Sequence, residues 1–185
     1  MTAVTERQAH ELRLRNGLRV SLRPVGADDE PEILEFLANL SAESRRRRFF
    51  TAAVDLRAET HREMSGAPAD HHGLLARAAG RGVVGHAIYV RLPLALRAEV
   101  AVEVADDVRR LGLATQLMIR LAQDAEERHI TQFFADVLPE NKDMLAVFRD
   151  AFATASVKGL DAIEIQFPTS GWRAARARFP MIEAR

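Results

Sequence analysis

Between residues 18 and 25 (LRVSLRPV) apolar and polar side chains alternate and the run closes on Pro24, which predicts a half-buried strand. The period then changes. Ile33, Leu34, Leu37 and Leu40 recur at helical spacing behind Asp28, a candidate cap. Ser41 is placed to cap a second short helix through Ser44 to Phe50, and Asp55–Met64 predicts a third before Gly66, Pro68 and Asp70 break the chain. From Gly73 the two-residue period returns in Gly73–Ala78, Val83–Val90 and Ala98–Val104, an antiparallel meander with turns at Gly80–Gly82 and near Pro93. A glycine-containing loop, Ala105–Leu113, leads into the most regular helix pattern of the chain, with Ala114, Leu117, Met118, Leu121, Ala122 and Ala125 on one face. Phe133–Leu138 follows as a buried strand. Asn141–Phe152 is a helix with Met144, Leu145, Phe148 and Phe152 inward, and Ala162–Phe167 is a last strand with a short partner near Ser156. This order predicts a mixed α/β sheet in one layer with helices on both faces.

Composition narrows the function. A chain of 185 residues, 48% hydrophobic and 28% charged, supports one core and is read as one domain: a body at about 19–167, a polar extension at 1–17 and an arginine-rich tail at 168–185. The 26 basic and 26 acidic residues cancel, so no global field recruits nucleic acid or an anionic membrane. With no cysteine, thiolate metal sites, disulfides and a cysteine nucleophile are excluded. The N-terminal stretch is polar and no run approaches the roughly 20 apolar residues that cross a bilayer. A soluble cytoplasmic protein is therefore expected.

Three signals have ordinary readings. Gly80–Gly85 matches G-x-G-x-x-G, but HAIYVR continues as a strand where a dinucleotide fingerprint must open a helix, so it reads as a hairpin turn. The run Arg45–Arg48 points in four directions on a short helix and reads as a solvated or ion-paired face. His71 and His72 read as a loop pair, because successive extended residues point to opposite sides and no third ligand follows at metal spacing. No G-x-S-x-G, H-E-x-x-H or P-loop pattern is present.

The loop Arg109-Arg110-Leu111-Gly112-Leu113-Ala114 stands in a context that suits chemistry. It joins a strand to the best helix, so its N–H groups and the open donors of the helix's first turn converge where the helix dipole is positive. Gly112 lets backbone approach a bulky anion, Thr115 adds a hydroxyl, and Arg109 or Arg110 offers charge. An ordinary strand-to-helix turn with surface arginines is the competing reading.

R-x-x-G-x-A in this position resembles the acyl-CoA pyrophosphate loop of the GNAT superfamily of N-acetyltransferases. The opening LRPVGADDEPEILEFLANLSAESRRRRFF, the segment AEVAVEVADDVRRLGLA and the segment LPENKDMLAVFRDAF are similar to bacterial protein lysine acetyltransferases of that superfamily, from about Arg19 to Phe167. The resemblance implies an α/β (α+β) fold: a mixed, mostly antiparallel sheet of six to seven strands, splayed between strands 4 and 5, with helices on both faces. It implies acetyl-CoA as acyl donor, no metal, and direct transfer to an amine. Val102, Glu103 and Val104 would offer backbone to the pantetheine arm, the amides of Arg109, Arg110, Leu111, Gly112, Leu113, Ala114 and Thr115 would hold the diphosphate, and Asn141 would bond the cofactor.

A free lysine has a pKa near 10.4, so only about one in a thousand is neutral at pH 7 and a base must help. Glu99 stands where the lysine acetyltransferase subgroup has its glutamate. Glu103 shares its strand face but lies about 13 Å away at roughly 3.3 Å per residue, too far to serve the same amine, and reads as neutralising an arginine of the nearby loop. The sequence departs from the family in two ways. The only tyrosine, Tyr89, is on another strand, so the usual general acid after Asn141 is missing, although a thiol of pKa near 8.5 leaves tolerably as thiolate. The common Gly-Phe at the end of that helix is Ala151-Phe152. A protein lysine is the preferred acceptor, with a small amine, a peptide N-terminus or a catalytically silent acyl-CoA-binding module as alternatives. No nucleic acid or membrane partner is expected, and a homodimer is compatible with the sequence.

Overall fold

Eight alternating segments pair edge to edge into one sheet in the computed structural model, which describes residues 9–51, 53–64, 70–152, 154–159 and 161–180. In chain order the elements are β1 (His10–Arg13), β2 (Arg19–Pro24), α1 (Glu30–Asn39), α2 (Ala42–Phe49), α3 (Leu56–Met64), β3 (His71–Ala78), β4 (Gly82–Arg91), β5 (Arg97–Val104), α4 (Leu113–Glu127), β6 (Gln132–Val137), α5 (Lys142–Ala151), β7 (Ala155–Lys158), β8 (Ile163–Pro168) and α6 (Trp172–Arg178). The spatial order is β1-β2-β3-β4-β5-β6-β8-β7, antiparallel throughout except at β5–β6.

The strand number exceeds the six to seven expected because residues read as a polar extension form β1. His10–Arg13 pairs with β2, and the alternating Leu12 and Leu14 enter the core. Within the tail Trp172–Arg178 forms α6: it buries Ala175, and the indole N–H of Trp172 donates to Glu126 Oε2 at 2.7 Å. The splay expected between strands 4 and 5 therefore falls between β5 and β6.

Local chemistry explains most boundaries. Ser41 caps α2, its hydroxyl oxygen accepting from the Ser44 N–H. Asp28 does not cap α1 as expected: a 3-10 turn at Ala27–Asp29 intervenes, and it is Asp29 that accepts from the Gly26 N–H and binds Arg23 at 2.7 Å. The glycine-rich G-x-G-x-x-G is the β3–β4 hairpin, with Gly80 and Gly82 at positive φ. Its last glycine has a packing role. A Cβ on Gly85 would sit 3.1 Å from both Leu113 Cδ2 and Leu117 Cδ1, so its absence lets α4 lie close on the sheet. His71 and His72 lie on β3 rather than in a loop, and His72 Nε2 meets Asp124 Oδ2 at 2.9 Å. The predicted break at Gly66 and Pro68 lies outside the described residues.

Two apolar cores flank the sheet. On one face α4, α5 and α6 cover Leu74, Tyr89, Val100, Phe133 and Phe167; on the other, α1 packs Ile33, Phe36, Leu37 and Leu40 on Leu75. Phe133→Ala removes a fully buried ring from the larger core and is expected to lower stability by about 3–5 kcal/mol, measured by urea denaturation. Among the described residues no helix is long and apolar enough to cross a membrane, and no His, Asp and Glu cluster could hold a metal ion.

Candidate active site

The parallel β5–β6 ladder lasts only for Arg97–Gln132, Ala98–Phe133 and Glu99–Phe134. Beyond Glu99, β5 stays paired with β4 through Val104, but its other edge has no strand partner among the described residues. Unpaired strand backbone offers hydrogen-bonding groups in a row. The two strands diverge into a cleft of about 550 Å³, walled by Val100–Val104 on one side and Ala135–Val137 on the other.

At one end of this cleft lies the bend into α4. Gly112 is its N-cap at φ +94°, in the left-handed region. The first-turn N–H groups of Leu113, Ala114 and Thr115 have no carbonyl one turn earlier in the helix, so they are open to an anion. A Cβ added at Gly112 would meet only Arg15 Nε, 4.0 Å away, so the space over this turn is available to a ligand. At the other end Glu99 lies exposed where β5 and β6 part. Asn141, the N-cap of α5, lines the cleft while its Oδ1 accepts from the Met144 N–H at 3.3 Å.

Glu99, Val102, Glu103, Val104, Arg109, Arg110, Gly112, Leu113, Ala114, Thr115 and Asn141 all line this one cleft. Leu111 does not: it packs against the core, and its carbonyl accepts from the Arg15 N–H at 3.4 Å. Neither loop arginine is held ready for a ligand. The Arg109 guanidinium binds the Ser44 hydroxyl and Asp106, and Arg110 reaches Asp143 at 3.1 Å.

Glu103 also differs from expectation. It does not neutralise the loop arginines; its carboxylate takes Arg48 Nε at 2.9 Å and the His86 ring N–H at 2.6 Å, while Arg48 also binds Glu63. Glu63, His86 and Glu103 are buried, and with Arg48 they tie α2, α3, β4 and β5 together at the wall of the cleft. Burial by itself would raise the Glu103 carboxyl, but Arg48 and His86 more than offset it and hold it below the ordinary glutamate range. Burial works against the Arg48 cation, and Glu63 and Glu103 overcome it and keep its pKa above normal. The other three arginines of the run are paired at the surface as read: Arg45 on the Ala38 and Leu40 carbonyls, Arg46 on Glu140, Arg47 on Glu43. Tyr89 is absent from the cleft, fully buried under α4 with its hydroxyl pKa raised by burial.

Residues 34–152 match the family model described as Acetyltransferase (GNAT) family. The chain belongs to the GNAT acetyltransferase family. It is accordingly an N-acetyltransferase that uses acetyl-CoA and acts on amines. Among solved structures, the GNAT domain of S. lividans PAT is similar at 29% identity and TM-score 0.77, over 86% of this chain and 96% of that one. Two matches show the shared fold alone. A cAMP-binding acyltransferase from Mycobacterium smegmatis gives TM-score 0.61 at 22% identity over 93% of this chain, which spans only 54% of that protein. The spermidine N-acetyltransferase from Vibrio cholerae, solved with CoA and spermine, gives TM-score 0.66 at 14% identity over 83% and 98% of the two chains. The cleft of this GNAT protein suits a long co-substrate of that kind: open amides at one end, an unpaired strand edge along its length and a carboxylate at the other.

Proposed function

We propose that this GNAT protein transfers the acetyl group of acetyl-CoA directly to a lysine side chain of a protein, with Glu99 as the base. The observation that carries the reading is the continuity of the cleft. One opening between β5 and β6 joins the Gly112 turn, which suits a diphosphate, to Glu99, which suits an ammonium group. The likeness to the GNAT domain of S. lividans PAT over nearly all of that domain, and the AEVAVEV and LPENKDML segments, support a protein acceptor over a small one.

Acetyl-CoA supplies an acyl group activated as a thioester. The chain's residues do the rest. The amides of Gly112–Thr115, with the Thr115 hydroxyl, hold the diphosphate and fix the reach of the arm. The open β5 edge at Val102, Glu103 and Val104 aligns that arm, and one N–H there donates to the thioester carbonyl oxygen, where negative charge develops. Asn141 adds a polar contact from the far wall. Glu99 accepts one proton from the incoming ammonium, directly or through water, and the neutral amine then attacks; as the carbon–nitrogen bond forms and the carbon–sulfur bond breaks, coenzyme A leaves as thiolate and takes up the second proton that the amine nitrogen gives up.

Glu99→Gln keeps the shape and removes the base. It is expected to lower kcat at least tenfold at pH 7.5 while acetyl-CoA affinity, measured by calorimetry, stays within about twofold. An unchanged kcat removes Glu99 from the reaction. The acceptor is tested by mass spectrometry after incubating acetyl-CoA with folded proteins and with a panel of polyamines, aminoglycosides and amino acids. Acetyl-lysine on proteins supports the reading, and acetylation confined to small amines replaces it.

A further inference from the structure

The hairpin between β1 and β2 ends in a turn that touches the α4 loop. In that turn the Leu14 N–H donates to the Leu18 carbonyl at 2.8 Å, the Gly17 N–H donates to the Leu14 carbonyl at 2.8 Å, and Asn16 Oδ1 accepts from the Leu18 N–H at 3.0 Å. Leu12 and Leu14 anchor the hairpin in the core at 1% and 3% exposure. Arg15 is thereby fixed at its backbone, its own N–H donating to the Leu111 carbonyl inside the anion loop. Its guanidinium is exposed, lines the cleft, and stands with Nε 4.0 Å from where a Cβ on Gly112 would be.

Arg109 and Arg110 have carboxylate partners, Asp106 and Asp143. Arg15 has no hydrogen bond or ion pair from its side chain among the described residues. A cation on a pinned turn, beside open helix amides and without a partner, has no structural use that its exposure would reward. An anion held by those amides would give it one. Arg15 also lies outside residues 34–152, the segment that matches the family model.

We propose that Arg15 is a cofactor-binding residue, its guanidinium pairing with the diphosphate of acetyl-CoA over Gly112. This rests on the reading that the α4 turn holds the diphosphate. A guanidinium matches two phosphate oxygens in geometry and charge, which an amide cannot replace. Because the side chain is exposed and unpaired, its loss leaves the fold intact.

The test is isothermal calorimetry of acetyl-CoA and of 3′-dephospho-acetyl-CoA against the wild-type chain, Arg15→Gln and Arg15→Lys. Arg15→Gln is expected to raise Kd about tenfold for both ligands, with Arg15→Lys between, and the ratio to shrink at high salt as screening grows. The melting temperature without ligand is expected to stay within about 2 °C. Wild-type binding with unchanged Arg15→Gln affinity overturns the proposal. So does a penalty confined to the 3′-phosphorylated ligand, which would place Arg15 on the other phosphate. Failure of the wild-type chain to bind overturns the loop reading itself, and Arg15 with it.

Discussion

Gly112→Asp is expected to raise the acetyl-CoA dissociation constant at least 100-fold and to abolish turnover at ordinary acetyl-CoA concentrations. Three effects act together. Gly112 sits at φ +94°, where a non-glycine residue costs roughly 1–2 kcal/mol. A carboxylate at this N-cap is a natural acceptor for the first-turn amides, so it would occupy the donors that the diphosphate needs. Its charge also faces the incoming phosphates: unit charges about 4 Å apart repel by roughly 4 kcal/mol at an effective dielectric of 20. Gly112→Ala separates these contributions. A Cβ there meets only Arg15 Nε at 4.0 Å, so alanine keeps the backbone strain and adds no charge, and a loss of about tenfold is expected. Calorimetry with acetyl-CoA measures both. Near-wild-type affinity for Gly112→Asp would contradict the loop assignment.

Arg48→Met is expected to be the most destabilising substitution near the cleft, by about 3–5 kcal/mol, or roughly 10 °C in melting temperature. The variant removes one cation and leaves Glu63 and Glu103, both buried, without their common partner. The change should carry a pH signature. In the wild-type chain the Glu103 carboxyl is held below its unfolded value of 4.5, so its contribution to stability is full above that value and is lost as pH falls through the lowered folded value. Without Arg48, burial dominates and the folded pKa of Glu103 rises, so stability is favoured at low pH and lost as pH increases. Urea denaturation at pH 5 and pH 7.5 reads this directly: the gap between variant and wild type is expected to be smaller at pH 5. Equal gaps would mean that Glu103 does not depend on Arg48 for its ionisation.

The elements that build the cleft were legible because their signals are local. The α4 periodicity, the glycine at its start and the Ser41 cap are all short-range choices that the tertiary structure keeps. Gly80–Gly85 forms a hairpin for the same reason, since a strand rather than a helix follows it. What escaped was long-range. Four consecutive arginines look equivalent on paper, yet α2 turns Ser44 and Arg48 to the sheet one helical turn apart, and the Arg48 partners lie 15 and 55 residues away. Sequence distance favours a loop arginine for Glu103, yet its partner is Arg48, 55 residues away. The alternation of Leu12 and Leu14 did signal β1, but the run is short and its charged neighbours masked it. Arg15 was missed with that strand, since only pairing of β1 with β2 carries it to Gly112.

A crystal structure of the chain with acetyl-CoA tests the central claim most directly. The account predicts diphosphate oxygens about 2.7–3.2 Å from the amides of the Gly112–Thr115 turn, and the pantetheine arm running between β5 and β6 toward Glu99. A cofactor seated elsewhere, with that turn facing only solvent, would contradict it.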